Sequence, residues 1–161
     1  MNSMLQRFIF GMATAAFALT MSSVSAQSKD LRMGNWKLNV EKSKFSPGPA
    51  PKSLNIMFEP AGKGVHLTTE AVNADGSKAA TEYTANYDGK DYPLKGSTTA
   101  DTTSLKRLNA TTVMRTDKKD GKVVAKLKGA ISKDGKRYTV DVKGKTPKGE
   151  PVKNFLVFER P

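Results

Sequence analysis

The sequence predicts an all-β protein: an antiparallel up-and-down meander of about 8–10 strands that closes into a barrel, with an open half-barrel or a two-sheet sandwich as the alternative. Three observations carry this. Asp-Gly pairs recur at 75–76, 88–89, 120–121 and 134–135, and Asp-Gly suits the positive φ angles of tight hairpin turns. The segments between them alternate in polarity with period two, as half-buried antiparallel strands do. After residue 26 no segment shows a sustained 3.6-residue apolar period with caps. Short connections make consecutive strands neighbours, and closure removes the unpaired edges of a long meander.

The elements follow in chain order. Met1–Arg7 carries one positive charge, Phe8–Met21 is an almost unbroken apolar run, and Ser22–Ala26 offers small residues. Val24 and Ala26 occupy the minus-three and minus-one positions of a signal peptidase site, so residues 1–26 read as a cleaved signal peptide. The run is shorter than the roughly 20 residues that span a bilayer as a helix. Residues 27–161 then form a single domain, periplasmic or secreted, with no further transmembrane segment. Gln27–Arg32 reads as a frayed polar lead-in, and Met33–Val40 as the first strand. Ser46-Pro47-Gly48-Pro49-Ala50-Pro51 joins a ladder poorly, so it is expected to be an extended link to the second strand.

Leu54, Ile56 and Phe58 fall on one face of that second strand. After a turn at 61–64, Val65, Leu67, Thr69 and Ala71 share a face opposite His66, Thr68 and Glu70. Ala79, Thr81, Tyr83, Ala85 and Tyr87 follow the same rule. Thr103, Leu105 and Arg107 share a face, as do Val113 and Arg115 beyond the turn at Asn109-Ala110. Val123, Ala125, Leu127 and Ile131 alternate with Lys126 and Lys128, while Tyr138, Val140 and Val142 alternate with Arg137, Thr139, Asp141 and Lys143. A turn at 147–149 leads to the last strand, whose two faces are both apolar: Phe155 and Val157 against Leu156 and Phe158. Either a neighbouring segment covers the outer face or the chain self-associates through it.

Composition narrows the functions. The chain has 161 residues, no Cys and one His. That excludes a disulfide scaffold, a thiolate metal site, a Cys nucleophile and any site needing two imidazoles. Asp75, Asp88, Asp120 and Asp134 sit in turns, where local hydrogen bonding explains them. No phosphate-binding loop, serine elbow or calcium loop occurs. The reading is therefore non-enzymatic, with no cofactor and no metal.

Two stretches carry a resemblance. Gly34-Asn35-Trp36 resembles the Gly-x-Trp opening of the calycins, the lipocalins and fatty-acid-binding proteins, and Asn154–Arg160 resembles a calycin final strand. The wider opening, Gly34–Asn39 and then Lys42–Pro49, is similar to that of a group of small secreted bacterial proteins, and the likeness runs over most of residues 27–161. The likeness implies a lipocalin-like barrel whose base is closed by Trp36 with Arg160 crossing it. It departs from the better-known members in two ways: the Pro-rich link is too short for a helical lid, and no Thr-Asp-Tyr motif appears.

The leading expectation is a binding protein for a small apolar or amphipathic ligand held inside the barrel. The candidate lining is Leu54, Ile56, Phe58, Tyr83, Tyr87, Leu127, Tyr138 and Val140, with Arg107 or Arg115 pairing a carboxylate if it points inward. The alternative rests on charge. There are 27 Lys+Arg against 15 Asp+Glu, a net +12, and lysines crowd the C-terminal half. Lys126, Lys128 and Lys143 could face anionic envelope components; nucleic acid is not expected, for want of an aromatic platform. A third possibility is a packed barrel with a structural or stress role.

Overall fold

A computed structural model describes residues 30–161; the expected signal peptide lies outside them. The described residues contain no helix and ten strands. These are β1 (Gly34–Leu38), β2 (Ser53–Ala61), β3 (Gly64–Val72), β4 (Lys78–Asn86), β5 (Tyr92–Pro93), β6 (Thr102–Arg107), β7 (Thr112–Lys119), β8 (Lys122–Ile131), β9 (Arg137–Lys145) and β10 (Pro151–Glu159). They form one antiparallel sheet in the order β4-β3-β2-β1-β10-β9-β8-β7-β6-β5. The first and last strands pair directly, Leu38 opposite Phe158. The two ends of that order meet across isolated bridges: Glu82 of β4 with Lys95, just past β5, and Asp88, just past β4, with Lys106 of β6. The result is the expected up-and-down barrel, nearly closed.

The turn chemistry explains both the hairpins and the gap. Asp120 and Gly121 hold φ of 49° and 73° between β7 and β8, the paired positive values of a type I′ turn. Asp75-Gly76 and Asp134-Gly135 likewise join β3 to β4 and β8 to β9. Asp88-Gly89 behaves differently from the hairpin expected there. It opens a long connection in which β5 is only two residues, one of them Pro93, which has no N–H to give a ladder. Gly96 then crosses against β4 so closely that a β-carbon would strike the Ala80 carbonyl oxygen. The chain spends its pairing there on the single Glu82–Lys95 bridge, and the barrel wall stays thin.

Two further expectations are corrected, and one open alternative is decided. Val123 is not on the inward face with Ala125 and Leu127; it is 52 % exposed. A bulge at Asp117/Lys118 sets Asp117 opposite Ala125 but Lys118 opposite Val123, which breaks the parity. The doubly apolar last strand is resolved by cover. The turn after β1 lies along β10, with Asn39 N–H donating to the Val157 carbonyl at 2.8 Å and Val157 N–H donating to Ser43 Oγ at 3.0 Å. Val157 is buried, leaving Phe155 exposed. The lead-in is not frayed at its end: Arg32 is 3 % exposed and Leu31 and Met33 are tied to the barrel by Arg160. Its polarity concealed this, because an arginine reads as solvent-facing until a carboxylate is found for it.

Candidate functional site

The barrel has two unlike ends. At the base, β1 begins and β10 finishes. Trp36 is 1 % exposed and donates its indole N–H to the Arg32 carbonyl at 2.6 Å. Arg160 stacks on the indole, its guanidinium carbon 4.3 Å from the ring centroid. It also donates to the carbonyls of Leu31 (2.7 Å), Met33 (3.2 Å) and Gly135 (3.1 Å). The expected crossing of Trp36 by Arg160 is therefore present, and the same guanidinium clamps the segment before β1 across the opening.

That segment carries its own charges into the base. Asp30 accepts both Arg32 Nε, at 2.9 Å, and Arg32 Nη2, and a third donor arrives from Arg107 Nη2 at 2.9 Å. Arg32 also donates to the Tyr87 hydroxyl at 2.9 Å. The Tyr87 ring lies between two guanidiniums, Arg107 at 4.3 Å and Arg32 at 5.1 Å from its centroid. Burial opposes ionisation of Asp30, but the hydrogen bonds and charge of Arg32, with the bond from Arg107, outweigh it and hold the carboxyl at about 2. Burial pushes the Tyr87 phenol up. Tyr87 and Arg107 thus belong to the base plug, not to the wall of the interior.

Above the plug lies a cavity of about 200 Å³. Eight of the ten residues expected to line an interior site do so: Leu54, Ile56, Phe58, Tyr83, Arg115, Leu127, Tyr138 and Val140. β-strand parity delivers them, since inward positions alternate on every strand. Near the base the lining is tightly packed: Tyr138 contacts Phe58 edge-on, with ring centroids 5.5 Å apart, and Trp36 at 5.8 Å. Toward the other end Leu54, Leu127 and Leu156 are only half-buried. Leu54 and Leu156 also line a groove of about 540 Å³ beneath Pro47, Pro49 and Pro51. The cavity therefore faces the Pro-rich end and is stoppered at the base.

The wall carries a compact polar pole. Arg115 Nε and Nη2 grip both oxygens of Asp117, at 2.7 and 2.8 Å, a bidentate pair. Thr103 Oγ1 donates to the same carboxylate at 2.7 Å. The Arg115 guanidinium lies 4.9 Å from the Tyr83 ring centroid. Burial pushes the phenols of Tyr83 and Tyr138 up, so both stand as neutral O–H donors. Tyr83 is 4 % and Tyr138 7 % exposed, yet neither hydroxyl has a hydrogen-bond partner among the described residues, and both residues line the cavity. No buried side-chain atom sealed from the cavity or solvent is left unpaired, so these hydroxyls are open to whatever occupies the space. Gly129 makes room for one of them: a β-carbon there would collide with the Tyr138 hydroxyl.

Sequence reasoning missed Asp30, Arg32, Thr103 and Asp117. Asp117 was the most accessible of these, since Val113, Arg115 and Asp117 step along one face with period two. What parity does not show is that its carboxylate is buried against Arg115 and Thr103. The remaining candidates lie outside the barrel. Lys126, Lys128 and Lys143 are exposed on the outer faces of β8 and β9. His66 is half-buried on the outer wall, Nδ1 2.8 Å from Thr84 Oγ1, away from the cavity lining. Among the described residues no group of three His, Cys, Asp or Glu could hold a metal ion, and no helix is long and apolar enough to cross a membrane. No protein-family model matches the chain, and no curated protein matches it. The fold and the cavity themselves are what bear on function.

Proposed function

We propose that this chain is a secreted or periplasmic, non-enzymatic binding protein of calycin-like architecture. It holds a small amphipathic molecule in the barrel interior. One observation carries the reading: an internal cavity whose apolar wall presents the free hydroxyls of Tyr83 and Tyr138 beside the Arg115–Asp117 pair. Each hydroxyl is accessible from the cavity rather than sealed, so an acceptor on a ligand would add a hydrogen bond worth about 0.5–1.5 kcal/mol. Arg115 already has Asp117 as its counter-charge, so the pole offers hydrogen bonds more than net charge. A neutral or singly charged acceptor group on an apolar body suits it.

Size restricts the ligand further. Drug-sized molecules occupy pockets of roughly 300–1,000 Å³, and this cavity is about 200 Å³. A single ring or a short chain fits; a long acyl chain would have to extend into the groove under the prolines. Entry is from that end, because the base is closed by Arg32, Trp36 and Arg160.

Native mass spectrometry of protein taken gently from the periplasm tests this directly. An extra mass lost on denaturation is expected, together with an N-terminus at Gln27. Removing both hydroxyls by Tyr83→Phe and Tyr138→Phe should weaken retention of that molecule about tenfold or more, at about 1.4 kcal/mol per decade. Filling the mouth with Leu156→Trp should block uptake while the polar pole stays intact. A clean mass, with no small aromatic probe taken up by the wild type, would favour a barrel with a structural role.

A further inference from the structure

The outer wall of the barrel carries a feature independent of the cavity. Lys126 on β8 stands directly opposite Lys143 on β9, and Lys143 directly opposite Lys153 on β10. Three exposed lysines thus form one row across three adjacent strands, with backbones spaced about 4.8 Å apart. Like charges directly opposite on a sheet are destabilising; the one other such pair in the ladders of the described residues, Lys119 opposite Lys122, sits at the end of the β7–β8 hairpin beside its turn. Lys42 pairs with Glu159, Lys95 with Glu82 and Lys118 with Asp91, whereas none of the three row lysines has an ion-pair partner among the described residues. Lys145 and Lys128 flank the row two residues away on the same faces, and Asp141 is the one carboxylate set among them. Toward β7 and β6 the row continues with hydroxyls, Thr116 opposite Lys126 and Ser104 opposite Thr116.

We propose that this row binds an acidic polysaccharide, a flexible chain with a carboxylate or sulfate on its sugars. The charge pattern calls for a polyanion, and geometry selects among polyanions. The row runs around a curved wall, so each lysine leaves the barrel in a different direction. A flexible polymer can follow that curve; a flat bilayer meets only part of it. Single-stranded nucleic acid relies on aromatic side chains as stacking platforms. Phe155 is the exposed large aromatic among the described residues, two residues from Lys153 on the same face and opposite Asp141; one ring is a single platform, whereas successive bases need several. The hydroxyls of Thr116 and Ser104 extend the row with groups suited to sugar hydroxyls.

The test uses the purified protein, a size-selected oligogalacturonate and a neutral galactose oligomer of equal length, followed by calorimetry and amide chemical-shift mapping. The acidic oligomer should bind, progressively less as salt rises, with shifts centred on Lys126, Lys143 and Lys153; the neutral one should not. The triple variant Lys126→Glu, Lys143→Glu, Lys153→Glu should lose at least tenfold in affinity and keep its melting temperature. An equal charge change on the other wall, Lys52→Glu, Lys63→Glu, Lys78→Glu, should alter affinity less than twofold. Absence of binding would overturn the proposal, as would equal losses in the two triple variants. Tighter binding of anionic vesicles or of oligothymidylate through the same lysines would reassign the row to those partners and equally overturn it. Retention of the cavity ligand in the triple variant reads separately, so either proposal can fail alone.

Discussion

The base and the interior of this barrel are built from the same residue types and arranged to opposite effect. Both contain arginine, tyrosine and aspartate against aromatic rings. At the base every group has a partner: Asp30 takes three guanidinium bonds, Arg32 caps Tyr87, and Arg160 ties three carbonyls while stacking on Trp36. In the interior the charges are paired, Arg115 with Asp117, but the hydroxyls of Tyr83 and Tyr138 are left free. Partnered polar groups rigidify a closure, and unpartnered ones await a ligand. The difference teaches that composition alone does not separate a plug from a binding wall; the inventory of donors does.

The largest effect that would sharpen this contrast is packing. Trp36→Ala should cost about 3–5 kcal/mol, since it empties a fully buried indole site and orphans the Arg160 stack. Leu127→Ala, on the wall of a space that already exists, should cost less than about 2 kcal/mol because no new closed void is made. Chemical denaturation of both variants checks the order. Equal costs would mean that the interior is as tightly packed as the base.

The next effect depends on pH. The Asp30 carboxyl sits at about 2 in the fold against an ordinary 3.8, so it binds its proton less readily folded than unfolded. Its contribution, about 2 kcal/mol, is present at neutral pH and lost as pH falls from about 4 toward 2. Asp30→Asn should therefore destabilise the protein by about that amount at pH 7, with the gap to wild type closing by pH 2. A constant gap across that range would assign the loss to packing.

The sequence made the fold legible because hairpin turns and strand alternation are local. Asp120-Gly121 states its turn type in two residues, and inward parity placed eight wall residues on the cavity. What stayed hidden depends on distant partners. Nothing local to Asp30-Leu31-Arg32 announces that Tyr87 and Arg107, far along the chain, wait at the base. The break in the ladder after Asp88-Gly89 was hidden for a similar reason, since it follows from Pro93 and from the close crossing of Gly96 over Ala80. The Arg115–Asp117 pair lies between these cases: its parity was visible, but its burial was not.

The smallest effect is the most discriminating, because it sets one hydroxyl against another. Tyr87→Phe removes one of the two acceptors of Arg32 Nη2 at the base, leaving Asp30 as the other, and should cost about 1 kcal/mol. Tyr83→Phe and Tyr138→Phe remove hydroxyls that bond to no protein group, and each should change stability by no more than about 0.5 kcal/mol in ligand-free protein. Thermal unfolding of the three single variants, with and without the bound molecule, makes the comparison complete. If the interior variants match wild type when empty and fall behind it when loaded, the free donors are spent on the ligand. If they fall behind when empty, those hydroxyls already hold the barrel together through ordered water. The interior would then be a second version of the base.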